Sequence, residues 1–357
     1  MNYKKRNFSI EGRDIGVDFN PYCIAEVGIN HNGSLETAKE MILQAKKSGA
    51  DAVKFQTFKS EEFCGDPDQL FTYKSQGREI TEPMLEMFQR YELAKEDWNQ
   101  IKAYCEEVDI TFLSTPQNVS DLDQLLELGI SAIKVGSDDF TNLPLLRAFS
   151  DKGLPMIISC GMSDIGEVHQ ALDAVGWYED KVPVMLLLCT SQYPTPKEDV
   201  NIKKLITLKS AFEGLNIGFS DHTSSVIASI MAVTLGATLF ERHFTLSHDL
   251  PGPDHWFSAD PQELSTWVNG IMEASCMLGS RLVIPTSSEE DMRILARRSL
   301  VALRDINCGE HFTNLNIGAR RPGGGLPSDM IDKILELKAN KDISAGSLIQ
   351  LKDLTDV

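Results

Sequence analysis

Short apolar runs alternate with amphipathic helical stretches about eight times between residues 22 and 278. In the first helical stretch, Leu35, Ala38, Ile42 and Ala45 recur at the spacing that places them on one helix face. Strands separated by helices pair in parallel, and eight such repeats predict an α/β fold, a (β/α)₈ TIM barrel. A doubly wound sheet is the alternative. The predicted strands are 22–27, 52–56, 110–114, 132–135, 156–159, 184–188, 217–219 and 238–241.

Two segments interrupt this alternation. Residues 1–20 precede the first strand and predict a short N-terminal hairpin that could plug the bottom of the barrel. Residues 58–94 follow the second strand and form an inserted loop that is too long for an ordinary βα connection. Such an insertion lies on the active-site face of a barrel, so we expect either a lid or a structured excursion that packs on the rim.

The pattern changes after Leu278. Residues 285–298 begin with Pro285 and continue into acidic residues, which predicts a linker between a barrel domain at 1–284 and a second domain at 299–357. The tail combines short strand-like segments with glycine and proline, so we expect a small β-rich domain that binds or covers something. Its predicted strands are 299–302, 306–310, 320–326 and 343–351.

The chain is acidic, with 34 Lys and Arg against 52 Asp and Glu and a formal net charge of −18. This balance argues against binding to nucleic acid or to an anionic membrane, so an anionic substrate would need a local basic pocket. No run of about 18 apolar residues is present, and no apolar segment follows the basic N-terminus, so we expect neither a membrane span nor a signal peptide. The scattered cysteines predict reduced, mostly buried thiols in a cytoplasmic protein, with a catalytic cysteine or a thiolate metal site as the alternative.

Polar side chains stand at the C-terminal ends of all eight predicted strands, where a TIM barrel carries its active site. Lys54 and Lys134 are accompanied there by serine and threonine hydroxyls, a combination that suits a phosphate or a phosphate plus a carboxylate. Pairing of each lysine with a carboxylate of the barrel is the alternative. The polar residues at these ends are Glu26, Lys54, Gln56, Ser114, Thr115, Lys134, Ser137, Ser159, Thr190, Ser191, Tyr193, Ser220, Asp221, His222, Glu241 and His243.

His222 and His243 end neighbouring predicted strands, so their imidazoles are expected to converge. Two imidazoles with oxygen ligands or water in the remaining positions suit a divalent cation, and Glu26 or Asp221 could be a direct or water-mediated partner. A hydrogen-bonded structural role is the alternative for each histidine. Two further histidines, in loops beyond strand ends, could contact the substrate: His31 and His255.

Several motifs at these strand ends resemble the sialic acid synthase family. The order and spacing of the motifs agree through the whole barrel, and the tail from about Ser299 is similar to the SAF (antifreeze-like) domain that follows the barrel in these synthases. The matching segments are 24–33 (IAEVGINHNG), 49–56 (GADAVKFQ), 114–116 (STP), 134–137 (KVGS), 189–194 (CTSQYP), 218–223 (GFSDHT) and 241–243 (ERH).

This resemblance implies condensation of phosphoenolpyruvate with an N-acetylmannosamine-type sugar, which releases phosphate and forms a nine-carbon 2-keto acid. It implies that Mn²⁺, or Mg²⁺ or Co²⁺ in its place, is held by His222 and His243, and that Glu26 positions a water molecule at the metal. The implied catalytic residues are Glu26, Lys54, Lys134, His222 and His243. The implied phosphoenolpyruvate contacts are Lys54, Thr115, Lys134, Ser137, Ser159 and Ser220. The implied sugar contacts are Gln56, Tyr193, Glu241, Asp254 and Arg321, the last from the other subunit of a domain-swapped homodimer.

The resemblance leaves the sugar open. The form of residues 28–31 is similar to that of neuraminate and legionaminate synthases, which ranks a pseudaminate synthase lower. N-acetylmannosamine is the first expectation, and 2,4-diacetamido-2,4,6-trideoxymannose is a close competitor. A 6-phosphorylated sugar would need additional cations, which Lys59, Lys74 and Arg78 of the insertion could supply.

Two rival functions remain open at this point. The first is a 3-deoxy-keto-acid synthase on the same barrel, against which the motif Asn30-His31-Asn32-Gly33 and the tail domain count. The second is a non-catalytic carbohydrate-binding protein in which the tail domain is the functional part. The presence of the complete implied catalytic set argues against that rival, because a protein that only binds sugar has no need of it.

Overall fold

The computed structural model describes residues 7–355 and divides the chain into two compact units, Met1–Gly279 and Ser280–Val357. Residues 1–6 of the predicted N-terminal hairpin and residues 356–357 of the predicted tail domain lie outside the described residues. Each unit has a hydrophobic core of its own. Among the described residues, none of the helices is both long enough and apolar enough to cross a membrane.

The first unit is a TIM barrel, as the alternation of strands and helices predicts. Its strands are β1 (Phe8–Ile10), β2 (Arg13–Ile15), β3 (Tyr22–Gly28), β4 (Ala52–Thr57), β5 (Leu70–Ser75), β6 (Arg78–Pro83), β7 (Thr111–Pro116), β8 (Ile133–Val135), β9 (Met156–Ser159), β10 (Val184–Leu188), β11 (Asn216–Ser220) and β12 (Leu239–His243). β1 with β2 and β5 with β6 form antiparallel hairpins. The other eight strands form a parallel sheet in the order β7-β4-β3-β12-β11-β10-β9-β8, and β7 and β8 lie against each other to close it.

The helices of this unit are α1 (Leu35–Lys47), α2 (Ser60–Phe63), α3 (Met84–Tyr91), α4 (Lys95–Glu107), α5 (Val119–Glu127), α6 (Leu143–Ser150), α7 (Ile165–Ala174), α8 (Lys204–Ala211), α9 (Ile227–Thr234) and α10 (Pro261–Leu278). All except α2 and α3, which belong to the insertion, cover the outside of the sheet. Local signals start several of them. The Ser34 hydroxyl accepts a backbone N–H of α1, and Asp164 and Asp260 form capping boxes with Glu167 and Glu263. Each such cap stabilises its helix by about 1 kcal/mol.

The barrel has two layers of apolar packing. The larger lies between the sheet and the helices, where strand residues such as Phe55 and Phe240 meet helix residues such as Trp267. The smaller fills the inside of the barrel and includes Phe8 and Ile15 of the N-terminal hairpin. The hairpin therefore closes the N-terminal end of the barrel with buried side chains, which leaves the opposite end open for a site.

The insertion after β4 is structured. It contains α2, the hairpin of β5 and β6, and α3, and its aromatic side chains pack with Ile29 in a separate apolar cluster. The tip of the hairpin reaches the loop after β12: Gly252 N donates to Ser75 Oγ at 3.0 Å, and Gln76 Nε2 donates to Asp249 O at 2.8 Å. The tip of the insertion is thus fixed to the C-terminal face of the barrel.

The second unit contains α11 (Glu290–Ala296), β13 (Ser299–Ala302), β14 (Ile317–Arg320) and α12 (Ile331–Ile334). Only one of the four predicted strands, 299–302, is a strand among the described residues, and it pairs with β14 in an antiparallel ladder. The predicted strands at 306–310 and 343–351 are wrong: they form only isolated bridges, such as Ile306 with Ile343. Turns at Gly309 and Gly346, both with positive φ, redirect the chain before a ladder can extend.

Candidate active site

A cavity of about 690 Å³ opens at the C-terminal ends of the barrel strands. It brings together the thirteen barrel residues to which the resemblance assigns a catalytic, substrate-binding or metal-binding role. These residues are Glu26, Lys54, Gln56, Thr115, Lys134, Ser137, Ser159, Tyr193, Ser220, His222, Glu241, His243 and Asp254. Arg321 belongs to the second unit, where it is exposed, and its contact with the sugar stays a prediction.

The end of β3 shapes one wall of the cavity. The pairing of β3 with β4 shifts register between Glu26 and Gly28, and Gly28 has a φ of +53°. A Cβ atom at Gly28 would lie 3.3 Å from Glu26 Oε1 and within 4 Å of Gln56 and Asp254. The backbone turns here in a conformation that favours glycine, and this lets three polar side chains from different strands and loops converge.

Two lysines form the floor of the cavity, and both are buried. Lys54 Nζ lies 2.6 Å from Glu26 Oε2 and donates to Thr115 Oγ1 at 3.1 Å. Lys134 Nζ donates to Ser159 Oγ at 2.8 Å. Glu241 lies between the two amines, 3.8 Å from Lys54 and 3.7 Å from Lys134. Each lysine thus contacts a carboxylate and a hydroxyl of the barrel, as the alternative of pairing predicts, and binding of a phosphate stays a prediction.

Burial and charge oppose each other in this cluster. Burial raises the pKa of Glu26 to about 7, although Lys54 lowers it. Burial also acts to raise the pKa of Glu241, but the two lysine amines bring it below its ordinary value. Burial lowers the pKa of Lys134, whereas the two carboxylates raise the pKa of Lys54 despite its burial. Glu26 can therefore exchange a proton near neutral pH, while Glu241 stays ionised between the lysines.

His222 and His243 lie side by side at the ends of β11 and β12, with ring centroids 5.7 Å apart. His222 Nδ1 donates to Thr190 O at 2.8 Å, which leaves Nε2 with its lone pair on the cavity side, 3.2 Å from Ser220 Oγ. The buried Nδ1 of His243 has no hydrogen-bond partner among the described residues. Burial lowers the pKa of both imidazoles, which keeps them neutral. Neutral imidazoles with free nitrogens are the form that ligates a metal, so this pair fits a divalent cation.

A second cluster of possible metal ligands lies outside the cavity. His248, Asp260 and Glu263 are the one group of three such residues whose ligand atoms come within 4.8 Å of each other in the described part of the chain. Asp260 and Glu263 form the capping box of α10, and His248 contacts Glu263 at 3.0 Å. Hydrogen bonding at the helix start accounts for this cluster.

The wall around Ser137 is tightly packed. Gly161 N donates to Ser137 Oγ at 3.0 Å, and Ser137 Oγ lies 3.0 Å from Cys189 Sγ. A Cβ atom at Gly161 would lie 2.7 Å from Ser137 Oγ and 2.4 Å from Ser191 Oγ. These distances are too short, so a larger residue must displace the hydroxyls that face the cavity.

We therefore expect Gly161→Ala to raise the KM for the anionic substrate about tenfold with a smaller change in kcat, because a misplaced hydroxyl weakens binding by about 1.4 kcal/mol. The measurement is steady-state kinetics with the substrate varied. Gly65→Ala is the matched control, since a Cβ atom there meets nothing within 4 Å. A Gly161→Ala enzyme with unchanged KM would show that Ser137 does not bind the substrate.

The outer wall of the cavity is aromatic, and the sequence did not point to it. Phe58, Phe63 and Phe88 of the insertion pack together, with the rings of Phe63 and Phe88 edge to face at 4.9 Å. On the opposite side, Lys74 Nζ lies 4.7 Å above the ring of Trp256. The length of the insertion predicts that it lies on the active-site face, but nothing in its sequence pattern indicates which side chains turn inward. Other lining residues that were not expected are Phe71, Met87, Asp138, Gln192 and Phe257.

The structure places three further candidates outside the cavity. Asp221 faces away from it and accepts hydrogen bonds from Ser229 Oγ and Trp267 Nε1, which leaves Glu26 as the candidate partner of the metal. His31 and His255 are buried outside the cavity lining. His255 instead lies between Thr245 and Asn32, so the two histidines support the loops around the cavity.

An eight-stranded parallel barrel with buried lysines and carboxylates and half-buried imidazoles at its C-terminal end defines a class, the TIM-barrel enzymes that act on anionic substrates. Residues 41–282 match the model of the NeuB family, and residues 297–355 match that of the SAF domain. The chain belongs to the NeuB family. The recognition of the sialic acid synthase family and the fold prediction are confirmed, and the chain is an enzyme of the phosphoenolpyruvate-dependent synthase kind.

Similar proteins extend over nearly the whole chain. An uncharacterised protein of Methanocaldococcus jannaschii is 39% identical and covers 97% of this chain and 98% of its own. The N,N'-diacetyllegionaminic acid synthase of Legionella pneumophila is 38% identical and covers 92% of this chain and 93% of its own. The crystal structure of N-acetylneuraminic acid synthetase from Leptospira borgpetersenii is 31% identical, with a TM-score of 0.72, and covers 82% of this chain and 96% of that chain.

Proposed function

We propose that this enzyme condenses phosphoenolpyruvate with an N-acetylated mannosamine-type sugar to give a nine-carbon 2-keto acid and phosphate. The observation that carries the proposal is the juxtaposition, in one cavity, of two buried lysine amines and two neutral, converging imidazoles. The lysines suit the phosphate and carboxylate of one substrate, and the imidazoles suit a metal that activates the other.

Phosphoenolpyruvate lies on the lysine floor in this proposal. Lys54 and Lys134 neutralise its phosphate and carboxylate, and hydroxyls of the same wall donate hydrogen bonds to their oxygens. The hydroxyl donors are Thr115, Ser137, Ser159 and Ser220. Both lysines already contact hydroxyls and carboxylates, so their amines are held in place before the substrate arrives.

The metal would be held by His222 Nε2 and His243 Nδ1, with Mn²⁺ as the proposed ion and Mg²⁺ or Co²⁺ as alternatives. When bound, it supplies Lewis-acid polarisation of the sugar aldehyde. Tyr193 packs against both imidazoles, at ring-centroid distances of 4.3 and 5.4 Å, and thereby orients them. Gln56, Glu241 and Asp254 surround this position and bind the hydroxyl groups of the sugar.

The proposed reaction has three bond-making and bond-breaking steps. C3 of phosphoenolpyruvate attacks C1 of the aldehyde, whose oxygen takes up a proton and becomes a hydroxyl. A water molecule adds at C2 and gives up one proton, and the tetrahedral intermediate then loses the proton of its new hydroxyl as it forms the ketone and expels phosphate. Glu26 accepts the proton of the water, a task for which a carboxylate with a pKa of about 7 is suited. Lys54, 2.6 Å from Glu26, can donate a proton as phosphate charge develops.

The aromatic outer wall bears on the choice of sugar. Rings of the insertion offer apolar surface in the lining of the same cavity, and such surface favours methyl groups over hydroxyl groups. The sugar 2,4-diacetamido-2,4,6-trideoxymannose carries a second acetamido methyl and a C6 methyl. We propose it as the preferred substrate, which would make the enzyme an N,N'-diacetyllegionaminate synthase. The 38% identity to the Legionella enzyme supports this choice, and N-acetylmannosamine, the first expectation from the sequence, is the second candidate.

The test is phosphate release from phosphoenolpyruvate with Mn²⁺ and each of three sugars. We expect release that requires the sugar, stops with a chelator and has the highest kcat/KM with the diacetamido sugar. A higher kcat/KM with N-acetylmannosamine or its 6-phosphate would overturn the preference but not the reaction. Sugar binding without phosphate release would instead support a carbohydrate-binding protein, and release only with aldose phosphates would support a 3-deoxy-keto-acid synthase.

A homodimer that completes the site is also part of the proposal. Apolar side chains at 282–284 and 292–295 are exposed in the single chain, which favours burial against a second copy. We expect Arg321→Ala to raise the KM for the sugar at least tenfold and to leave the KM for phosphoenolpyruvate unchanged. Arg320→Ala, the adjacent exposed arginine, is the matched control. A monomer in light scattering, or an unaffected Arg321→Ala enzyme, would contradict this arrangement.

A further inference from the structure

The two candidate metal ligands follow directly after two oppositely charged residues. Asp221 precedes His222, and Arg242 precedes His243. Both charged side chains are buried on the helix side of the sheet, and Arg242 Nη1 lies 3.6 Å from Asp221 Oδ2. Each member of the ion pair on the helix side of the sheet is therefore adjacent in sequence to one of the two imidazoles on the cavity side.

Asp221 forms hydrogen bonds with several of the elements around it. Its carboxylate accepts from Thr223 N and Thr223 Oγ1 in its own turn, at 2.9 and 2.7 Å. It also accepts from Ser229 Oγ of α9 at 2.6 Å and from Trp267 Nε1 of α10 at 3.2 Å. Its backbone N donates to Glu241 O at 2.7 Å, which extends the pairing of β11 with β12 past the strand end. One buried carboxylate thus links two strands, two helices and a turn.

The imidazoles lack a comparable set of restraints of their own. His222 has one strong hydrogen bond, from Nδ1 to Thr190 O. Metal-binding histidines are usually oriented by a hydrogen bond from the second ring nitrogen, and in His222 the bond to Thr190 O has this role. His243 Nδ1, the proposed ligand atom, has no partner among the described residues, and the ring contacts the side chains of Tyr193 and Phe257. The positions of both rings therefore also depend on the backbone next to them.

We infer that the buried pair Asp221–Arg242 is a positioning device that sets the spacing of His222 and His243 for binding one divalent cation. Neighbouring residues along extended backbone point to opposite faces, so a change in the outer pair moves the inner pair. This inference rests on the proposed metal site. It assigns Asp221 and Arg242 a role in metal affinity without any contact with the metal or the substrates.

The experiment is titration of the full-length protein with Mn²⁺ alone. Binding is measured by calorimetry and by the electron paramagnetic resonance signal of free Mn²⁺. We expect Asp221→Asn to raise the Kd for Mn²⁺ about tenfold or more, the usual range for residues behind metal ligands. Phosphate release by this variant should recover at saturating Mn²⁺, because the cavity side chains are intact. A merely structural role would lower activity without such recovery.

Asp51→Asn is the matched control. Asp51 accepts from Cys23 N at 2.7 Å and pairs with Arg13, and it lies at the N-terminal end of the same barrel. This variant should bind Mn²⁺ within twofold of the wild type. If Asp221→Asn does not fold, as judged by circular dichroism, Arg242→Lys replaces it with the same expected loss of affinity.

The outcomes separate the two proposals. Wild-type binding of Mn²⁺ with equal binding by a folded Asp221→Asn or Arg242→Lys protein would overturn the positioning role and leave the metal site standing. A wild type that binds no Mn²⁺ would overturn the metal site and the positioning role with it. Equal losses in Asp221→Asn and Asp51→Asn would show a general loss of stability and would also overturn the inference.

Discussion

Replacement of Lys134 by methionine is expected to lower kcat/KM for phosphoenolpyruvate by about a hundredfold to a thousandfold, the usual effect of removing one preorganised donor from a developing negative charge. The amine is buried, donates to Ser159 Oγ and faces Glu241 at 3.7 Å. Methionine keeps much of the side-chain volume but removes the charge. It also removes one of the two amines that lower the pKa of Glu241, so the variant loses both a substrate contact and a carboxylate held in its ionised form.

The measurement is steady-state phosphate release with phosphoenolpyruvate varied at saturating sugar and Mn²⁺. Lys152→Met is the matched control, because Lys152 pairs with Asp123 on the outer surface of the barrel and should have wild-type kinetics. Circular dichroism shows whether the variant has lost its fold or only its catalytic activity. A folded Lys134→Met enzyme with wild-type kcat/KM would remove Lys134 from the phosphoenolpyruvate site.

The second large effect is expected for His222→Ala, which should lower sugar-dependent phosphate release by about a thousandfold or more with the fold intact, since Lewis-acid activation contributes several kcal/mol. His222 is half-buried, and its Nδ1 donates to Thr190 O, so the substitution removes the Nε2 that faces the cavity. Mn²⁺ binding should be lost in parallel with turnover.

His169→Ala provides the control for this substitution. His169 is exposed on α7, where it contacts Tyr178 at 2.5 Å, and its replacement should affect neither turnover nor Mn²⁺ binding. Full activity of His222→Ala in the presence of a chelator would falsify the assignment of the metal to this pair. Loss of turnover with normal Mn²⁺ binding would place the metal elsewhere and leave His222 with a different role in the reaction.

Most of the candidate site follows from the sequence because parallel strands end on the same side of a barrel. Once the periodicity of eight strand and helix repeats was recognised, polar residues at the strand ends, such as Lys54, Lys134 and His243, had to face one another. The motif resemblance then divided them into roles. The cavity contains all thirteen barrel residues to which the resemblance assigns a role.

The sequence alone does not predict the orientation of the Asp221 side chain. It lies among the polar residues after β11, and its neighbour His222 points into the cavity. Its own direction depends on the hydrogen bond from its backbone N to Glu241 O and on donors from α9 and α10. Those partners are distant in sequence, and no local pattern identifies them.

The sequence by itself determined the barrel, the strand ends that carry charge and the family, since periodicity and motifs are properties of consecutive residues. The tertiary structure decided what lies opposite each of them. It placed Phe58, Phe63 and Phe88 over the cavity, buried His31 and His255 away from it, and paired Asp221 with Arg242 behind the two imidazoles. Burial, pKa shifts and ion pairs arise from contacts between segments far apart in the chain, and these contacts exist only after the barrel closes.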